Sequence, residues 1–310
     1  MKKVTAFAPA TVANVSCGFD ILGFAIDQLG DRVTVSLNDT GELVLVDIKG
    51  DRGKLPFEAK KNTCSVAIKA MLDHLKSDQG MDIQLEKGLP LGSGMGSSAA
   101  SAAAALVAAN AILGSPFTRA ELVPFAMEAE RIACGSGHAD NVAPSLMGGF
   151  VLIRDYAPLD LVKLPVPLGL HCTLLHPHLE LNTADSRSVL RKQISLIDST
   201  IQSGNIAGLI AGLFLNDFQL ISRSLKDVVA EPSRALLIPG FYELRESIQS
   251  IGALGSGISG SGPTIFVLSP DKEIAIMAGK VSEQIFEKMG LEVDVYLSEV
   301  NDKGAYILEE

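Results

Sequence analysis

Residues 89–114 carry the types and spacing that could bind a chain of phosphates. Gly92, Gly94 and Gly96 are followed by the hydroxyl pair Ser97-Ser98 and then by an apolar run dominated by alanine. Glycine lets the backbone take positive φ and lets a ligand approach the main chain closely. Successive amides can then converge on one anion. The helix predicted behind them adds its positive dipole end and its unpaired first-turn N–H groups. Ser97 or Ser98 offers a hard oxygen suited to magnesium. No Gly-Lys-Ser/Thr closes the loop, so it is not the common P-loop. Lys87, the nearest lysine, precedes the loop. Phosphate charge is therefore expected to be met by main-chain dipoles, a metal and groups from elsewhere. The plainer alternative is that these glycines only permit close packing.

The elements that must hold this loop are legible around it. Strands are predicted over 4–7, 33–37, 43–48 and 81–86, the last entering the loop. Asn62 and Thr63 suit the N-cap of a helix over 65–75. Gly114 suits the C-terminal end of the alanine helix. Thr118 and Glu121 form a capping-box pattern for a helix running to about 132. A polar loop, CGSGHADNVAPSLMGG, leads to a strand, FVLIRDY. Pro158, Pro165 and Pro167 cluster next and suggest a boundary between domains 1–160 and 161–310. Beyond it a strand over 170–175 is expected. Helices are expected over 186–202, 206–215, 218–226, 242–251 and 272–289. Strands are expected over 264–268 and 292–297. The strands are too irregularly spaced for a doubly wound parallel sheet, so two α+β layers are expected.

Bulk properties narrow the function. The 310 residues are 47% hydrophobic and 20% charged, enough for a sizeable core. A net charge of −10 argues against nucleic acid or an anionic membrane as partner. An anionic substrate would need a local positive pocket. Cys17, Cys64, Cys134 and Cys172 are widely spaced with no CxxC pair, which suits a reducing compartment. The uncharged stretch 88–118 is mostly alanine and contains Asn110, so a packed helix is expected there and not a membrane span. The start of the chain lacks the apolar segment of a signal peptide. A cytoplasmic enzyme is expected.

Two further stretches share the character of the loop. They are PATVANVSCGFDILGFAID at 9–27 and GSGISGSGPTIF at 255–266. With LPLGSGMGSSAA at 89–100 they resemble, in order and spacing, the three motifs of the GHMP small-molecule kinases. Those are named for galactokinase, homoserine kinase, mevalonate kinase and phosphomevalonate kinase. The opening Pro9-Ala10-Thr11 and the later Gly18-Phe19-Asp20 are most similar to the homoserine kinase branch. Ser16 and Cys17 stand where that branch usually has Gly-Pro.

The resemblance implies an α+β, two-domain fold. Its N-terminal domain would resemble domain 2 of ribosomal protein S5, and its C-terminal domain would be ferredoxin-like. It implies ATP-dependent phosphorylation of L-homoserine to O-phospho-L-homoserine, in threonine biosynthesis. ATP would lie along Pro90, Leu91, Gly92, Ser93, Gly94, Met95, Gly96, Ser97, Ser98 and Ala99, with Asn62 beside the adenine. Ser98 and Glu130 would hold Mg2+. Arg187 and Arg234 match the family's carboxylate-binding arginines, and the guanidinium fork suits two carboxylate oxygens. Asn14 and Asp20 would face the substrate, Asp20 holding its ammonium. Asp140 matches the active-site aspartate, flanked by His138 and Asn141. Thr183 matches a threonine near the reacting hydroxyl. Asp140, Thr183 and Arg187 form the implied catalytic set. No lysine occupies the first-motif position used in mevalonate-type kinases, so catalysis by positioning and charge stabilisation is expected. A kinase for another small alcohol and a non-catalytic nucleotide-binding homologue are the alternatives. No nucleic-acid or membrane partner is expected, and a homodimer is left open.

Overall fold

The structure is a computed structural model that describes residues 2–309; the side chains of Cys134, Thr183 and Ala184 lie outside the described ones. Strands and helices are numbered in chain order. One sheet has seven strands among the described residues: β1 (Lys3–Ala13), β2 (Leu22–Asn38), β3 (Leu43–Lys49), β4 (Gly80–Glu86), β5 (Phe150–Tyr156), β6 (Leu159–Leu164) and β11 (Tyr306–Glu309). Its main path is β11-β1-β2-β4-β3, with β5 pairing β2 and β6. Only β3 and β4 run parallel. The second sheet is antiparallel, in the order β10 (Val293–Glu299), β7 (His171–Pro177), β9 (Ile265–Ser269), β8 (Gly255–Ile258).

Four helices belong to the first half: α1 (Thr63–Leu75), α2 (Ser97–Ile112), α3 (Arg119–Cys134) and α4 (Val142–Met147). The second half carries α5 (Thr183–Ser188), α6 (Leu196–Leu215), α7 (Phe218–Ser224), α8 (Glu231–Arg234), α9 (Phe241–Ser250) and α10 (Lys272–Lys288). Every residue of α2 except Ser98 is buried. A helix apolar all round belongs in a core, and α2 packs between β1, β2, α1 and α3. Its alanines are what let those neighbours approach. No helix among the described residues is long and apolar enough to cross a membrane.

Local chemistry sets several boundaries. The Asn62 side chain accepts from Cys64 N and starts α1. Thr118 and Glu121 form the capping box of α3. A second apolar cluster joins the halves: Phe24 of β2 lies tilted against Phe150 at 4.7 Å and meets Phe266 of β9 edge-on at 6.1 Å. The two sheets are therefore joined by packed aromatics.

Elsewhere the chain departs from the sequence reading. The helix expected over 186–202 is interrupted, because Ser195 caps a new helix by accepting from Asp198 N. That helix, α6, runs on through the break expected after 202, packed against α7. The polar loop before β5 contains the short helix α4, and the proline-rich boundary contains β6. Tyr306–Glu309 returns to the first sheet as β11.

Candidate active site

The three motifs converge on one cleft of about 370 Å³. The loop before α2 forms its floor. Gly96 takes φ 67 and precedes α2, and no side chain caps the helix start. The first-turn N–H groups of α2 are thus left for a ligand. A Cβ on Gly96 would fall 2.0 Å from Thr11 Oγ1 and 2.8 Å from Asn141 Oδ1, so only glycine fits there. The Ser97 hydroxyl is buried, lies in the cleft wall and has no hydrogen-bond partner among the described residues. A polar atom so placed fits a ligand. The loop is braced from the second half: Ser259 Oγ donates to Gly94 O at 2.7 Å and Thr264 N to Ser93 O at 3.3 Å.

Leu91, Gly92, Ser93, Gly94, Gly96, Ser97 and Ser98 all line the cleft. Pro90, Met95 and Ala99 do not. Met95 and Ala99 point into cores, and Met95 meets the first motif through its carbonyl, which accepts from Thr11 N at 3.0 Å. Asn62 lines the cleft, but its carboxamide is engaged in the α1 cap and in a bond to Pro56 O.

The opposite wall carries the charges. Arg187 donates twice to Asp20, Nη1 to Oδ2 at 3.2 Å and Nη2 to Oδ1 at 3.0 Å. Asp20 itself sits at φ 59, fixed by Asn14 Oδ1 accepting from its N–H and by Tyr156 donating to its carbonyl. Asn14 Nδ2 in turn donates to Gly260 O, tying the first motif to the second glycine-rich loop. Arg234 is 4% exposed. It donates to Ser186 O and Gly260 O, and no carboxylate pairs with it among the described residues. Burial, then the charge of Arg187, lower its pKa.

Asp140 sits behind this pair, 4% exposed. Burial, helped by the charges of Asp20 and Glu130, raises it to about 7. A Cβ on Gly23 would lie 1.8 Å from Asp140 O, so this glycine is what lets the Asp140 loop lie flat on β2. Asn141 accepts from Thr11 Oγ1 at 2.7 Å. His138 stands 3.7 Å from Asp20, and burial lowers its pKa. Its Nε2 is buried without a hydrogen-bond partner among the described residues. Ser98 Oγ donates to Glu130 Oε1 at 2.6 Å, both in the cleft wall. Thr183 opens α5, but its side chain lies outside the described ones.

Sequence and fold comparisons agree. Family models of the GHMP kinases N terminal domain and the GHMP kinases C terminal match residues 62–149 and 207–305. The chain is 52% identical over 320 residues to a homoserine kinase of Chlorobium phaeovibrioides, covering 99% of this chain and all of that one. The crystal structure of homoserine kinase from Cytophaga hutchinsonii superposes with a TM-score of 0.96 at 51% identity, covering 99% of this chain and 98% of that one. The chain belongs to the homoserine kinases. The mevalonate kinase of Methanococcus jannaschii, at 15% identity and TM-score 0.69 over 96% of this chain and 98% of that one, shares the fold.

Within this homoserine kinase framework the cleft also contains residues that no motif flags. Lys61 and Lys87 line it. Lys87, read as merely preceding the loop, is buried beneath it. Its ammonium donates to the buried Asp31 carboxylate, to Ser97 O at 2.8 Å and to Ser101 Oγ at 2.9 Å. Gly88 N donates to the same carboxylate at 3.0 Å. One ion pair thus fastens both ends of the phosphate-type loop. Asp31 is distant in sequence, so nothing local announces the pair. Lys87→Met leaves Asp31 buried and unpaired and should cost roughly 3 kcal/mol of stability. Adding Asp31→Leu should recover most of that. Urea melts of the three proteins test it; a single variant as stable as the parent would refute the tether.

Proposed function

We propose that this chain transfers the γ-phosphoryl group of ATP to the hydroxyl of L-homoserine, giving O-phospho-L-homoserine and ADP. The observation that carries the reading is one cleft that joins an uncapped helix start to a buried guanidinium that no carboxylate pairs with among the described residues. The first suits a triphosphate and the second an amino acid's acid end. The full-length homoserine kinase relatives support it.

The roles follow from the charges. Arg234 and Arg187 take the carboxylate, and Asp20 takes the ammonium. In the structure Arg187 and Asp20 hold each other. A zwitterion divides that pair, giving each member a new opposite charge. Asn14, Asn141 and His138 shape the wall around it. Asp140 orients the hydroxyl, with or without taking its proton, and Thr183 matches the family's threonine near that hydroxyl. The hydroxyl oxygen bonds to phosphorus as the bond to ADP breaks. The phosphoryl group gathers charge in transit, so positioning and preorganised dipoles carry most of the effect.

Ser98 and Glu130 fit magnesium. One carboxylate and one hydroxyl are the share Mg2+ commonly takes from protein, phosphates and water filling the rest. Bound there, the ion would neutralise phosphate charge. The enzyme is read as cytoplasmic, with no nucleic-acid or membrane partner, and a homodimer is left open. The test is a coupled ADP-release assay with homoserine, mevalonate, galactose and no acceptor. Release confined to homoserine is expected. Release with another alcohol alone would move the chain to a different substrate. ATP binding without release would make it a sensor.

A further inference from the structure

Asp20 holds Arg187 directly. Phe19, its neighbour, lies against both Arg187 and Arg234. The guanidinium carbon of Arg187 is 5.8 Å from the centroid of the Phe19 ring, and that of Arg234 is 5.2 Å from the same centroid. Arg187 comes from α5 and Arg234 from α8. Phe19 comes from the turn between β1 and β2, which Asn14 and Tyr156 hold from either side of Asp20.

Two guanidiniums brought to one ring repel each other, and burial penalises the charge of Arg234. Asp20 bonds directly to Arg187, while Arg234 receives the carboxylates of Asp20, Asp227 and Asp140 only through space, outweighed by burial and by Arg187. The face of an aromatic ring attracts cations through its quadrupole. A single ring shared by two cations also fixes the gap between them.

We propose that Phe19 is a positioning residue: it sets the spacing of Arg187 and Arg234 and so selects for an acceptor that carries a carboxylate. This rests on the reading that those arginines bind the substrate's acid end. A ring that merely filled space could be replaced by another apolar side chain of similar size without touching substrate choice. A ring that aims two cations could not.

The experiment uses the full chain with Phe19→Leu and Phe19→Tyr. Initial rates give kcat and KM for homoserine and for ATP, and also for 3-amino-1-propanol, which is homoserine without its carboxyl group. A cation–π contribution of about 1–2 kcal/mol converts to about a 5- to 30-fold rise in the homoserine KM of Phe19→Leu. The KM for ATP should stay within about twofold. The preference for homoserine over the amino alcohol should shrink by the same factor as the KM rises. Phe19→Tyr, which keeps the ring, should behave as the parent. If Phe19→Leu does not fold, Phe19→Met reads the same quantities. The proposal is overturned by an unchanged homoserine KM, by an equal loss on both acceptors, or by a tyrosine variant as impaired as the leucine one. A parent that phosphorylates no homoserine would instead overturn the functional reading.

Discussion

Asparagine in place of Asp140 is expected to lower turnover on homoserine by about 10²- to 10⁴-fold, the span of a removed acid–base group. The fold should survive, since asparagine keeps the shape. The effect should far exceed any change in nucleotide affinity caused by Ser98→Ala, because the Ser98 hydroxyl would be one of several ligands to a shared ion. Orienting a hydroxyl and accepting its proton both need the carboxylate form. Burial and the charges of Asp20 and Glu130 lift Asp140 from 3.8 to about 7. kcat/KM for homoserine should therefore rise with pH through a limb above the ordinary carboxylate range, and the asparagine variant should lack it.

Stability should move the other way. An acid whose folded pKa is raised favours folding below its unfolded value, and loses that contribution as pH climbs to the folded one. The parent should melt progressively below Asp140→Asn as pH rises from about 4 to about 7. Near-parental turnover in the variant would remove Asp140 from the centre of the reaction, and a melting gap that closes over this range would refute its raised pKa.

Arg234→Met should raise the KM for homoserine on the order of 10²-fold or more, within the 2–5 kcal/mol typical of truncating one side of a buried charge pair. The KM for ATP should hardly change. Arg234→Lys should recover little, because an ammonium lacks the planar fork. The same change at Arg187 should cost less. Its side chain is 39% exposed, and water screens what it contributes. Initial-rate kinetics on the four proteins decide this. An Arg234→Met enzyme with a homoserine KM within threefold of the parent would place the acid end elsewhere.

What could be read in the chain was what is encoded over a few neighbouring residues. The α1 cap at Asn62 and the Thr118–Glu121 box satisfy backbone groups locally, the glycine loop needs positive φ at its own residues, and each was visible. The convergence of 9–27, 89–100 and 255–266 was readable only through resemblance, because composition says nothing of what the fold brings together. The Lys87–Asp31 pair, the β6 strand inside a proline-rich stretch and the return of 306–309 to the first sheet all depend on distant partners. The gap between α5 and α6 was missed for the opposite reason: apolar spacing outweighed the Ser195 cap.

That returning strand bears on how the protein is made. Thr5 pairs with Glu309 and Phe7 with Tyr306, so one flank of β1 is closed by a strand far along the chain, made long after it. Until that strand leaves the ribosome, β1 presents open backbone donors and acceptors along that flank, a template for pairing with other nascent chains. Completion of this sheet therefore waits until synthesis has passed Tyr306, and a chain released before it would be left with a sticky margin in place of a finished wall.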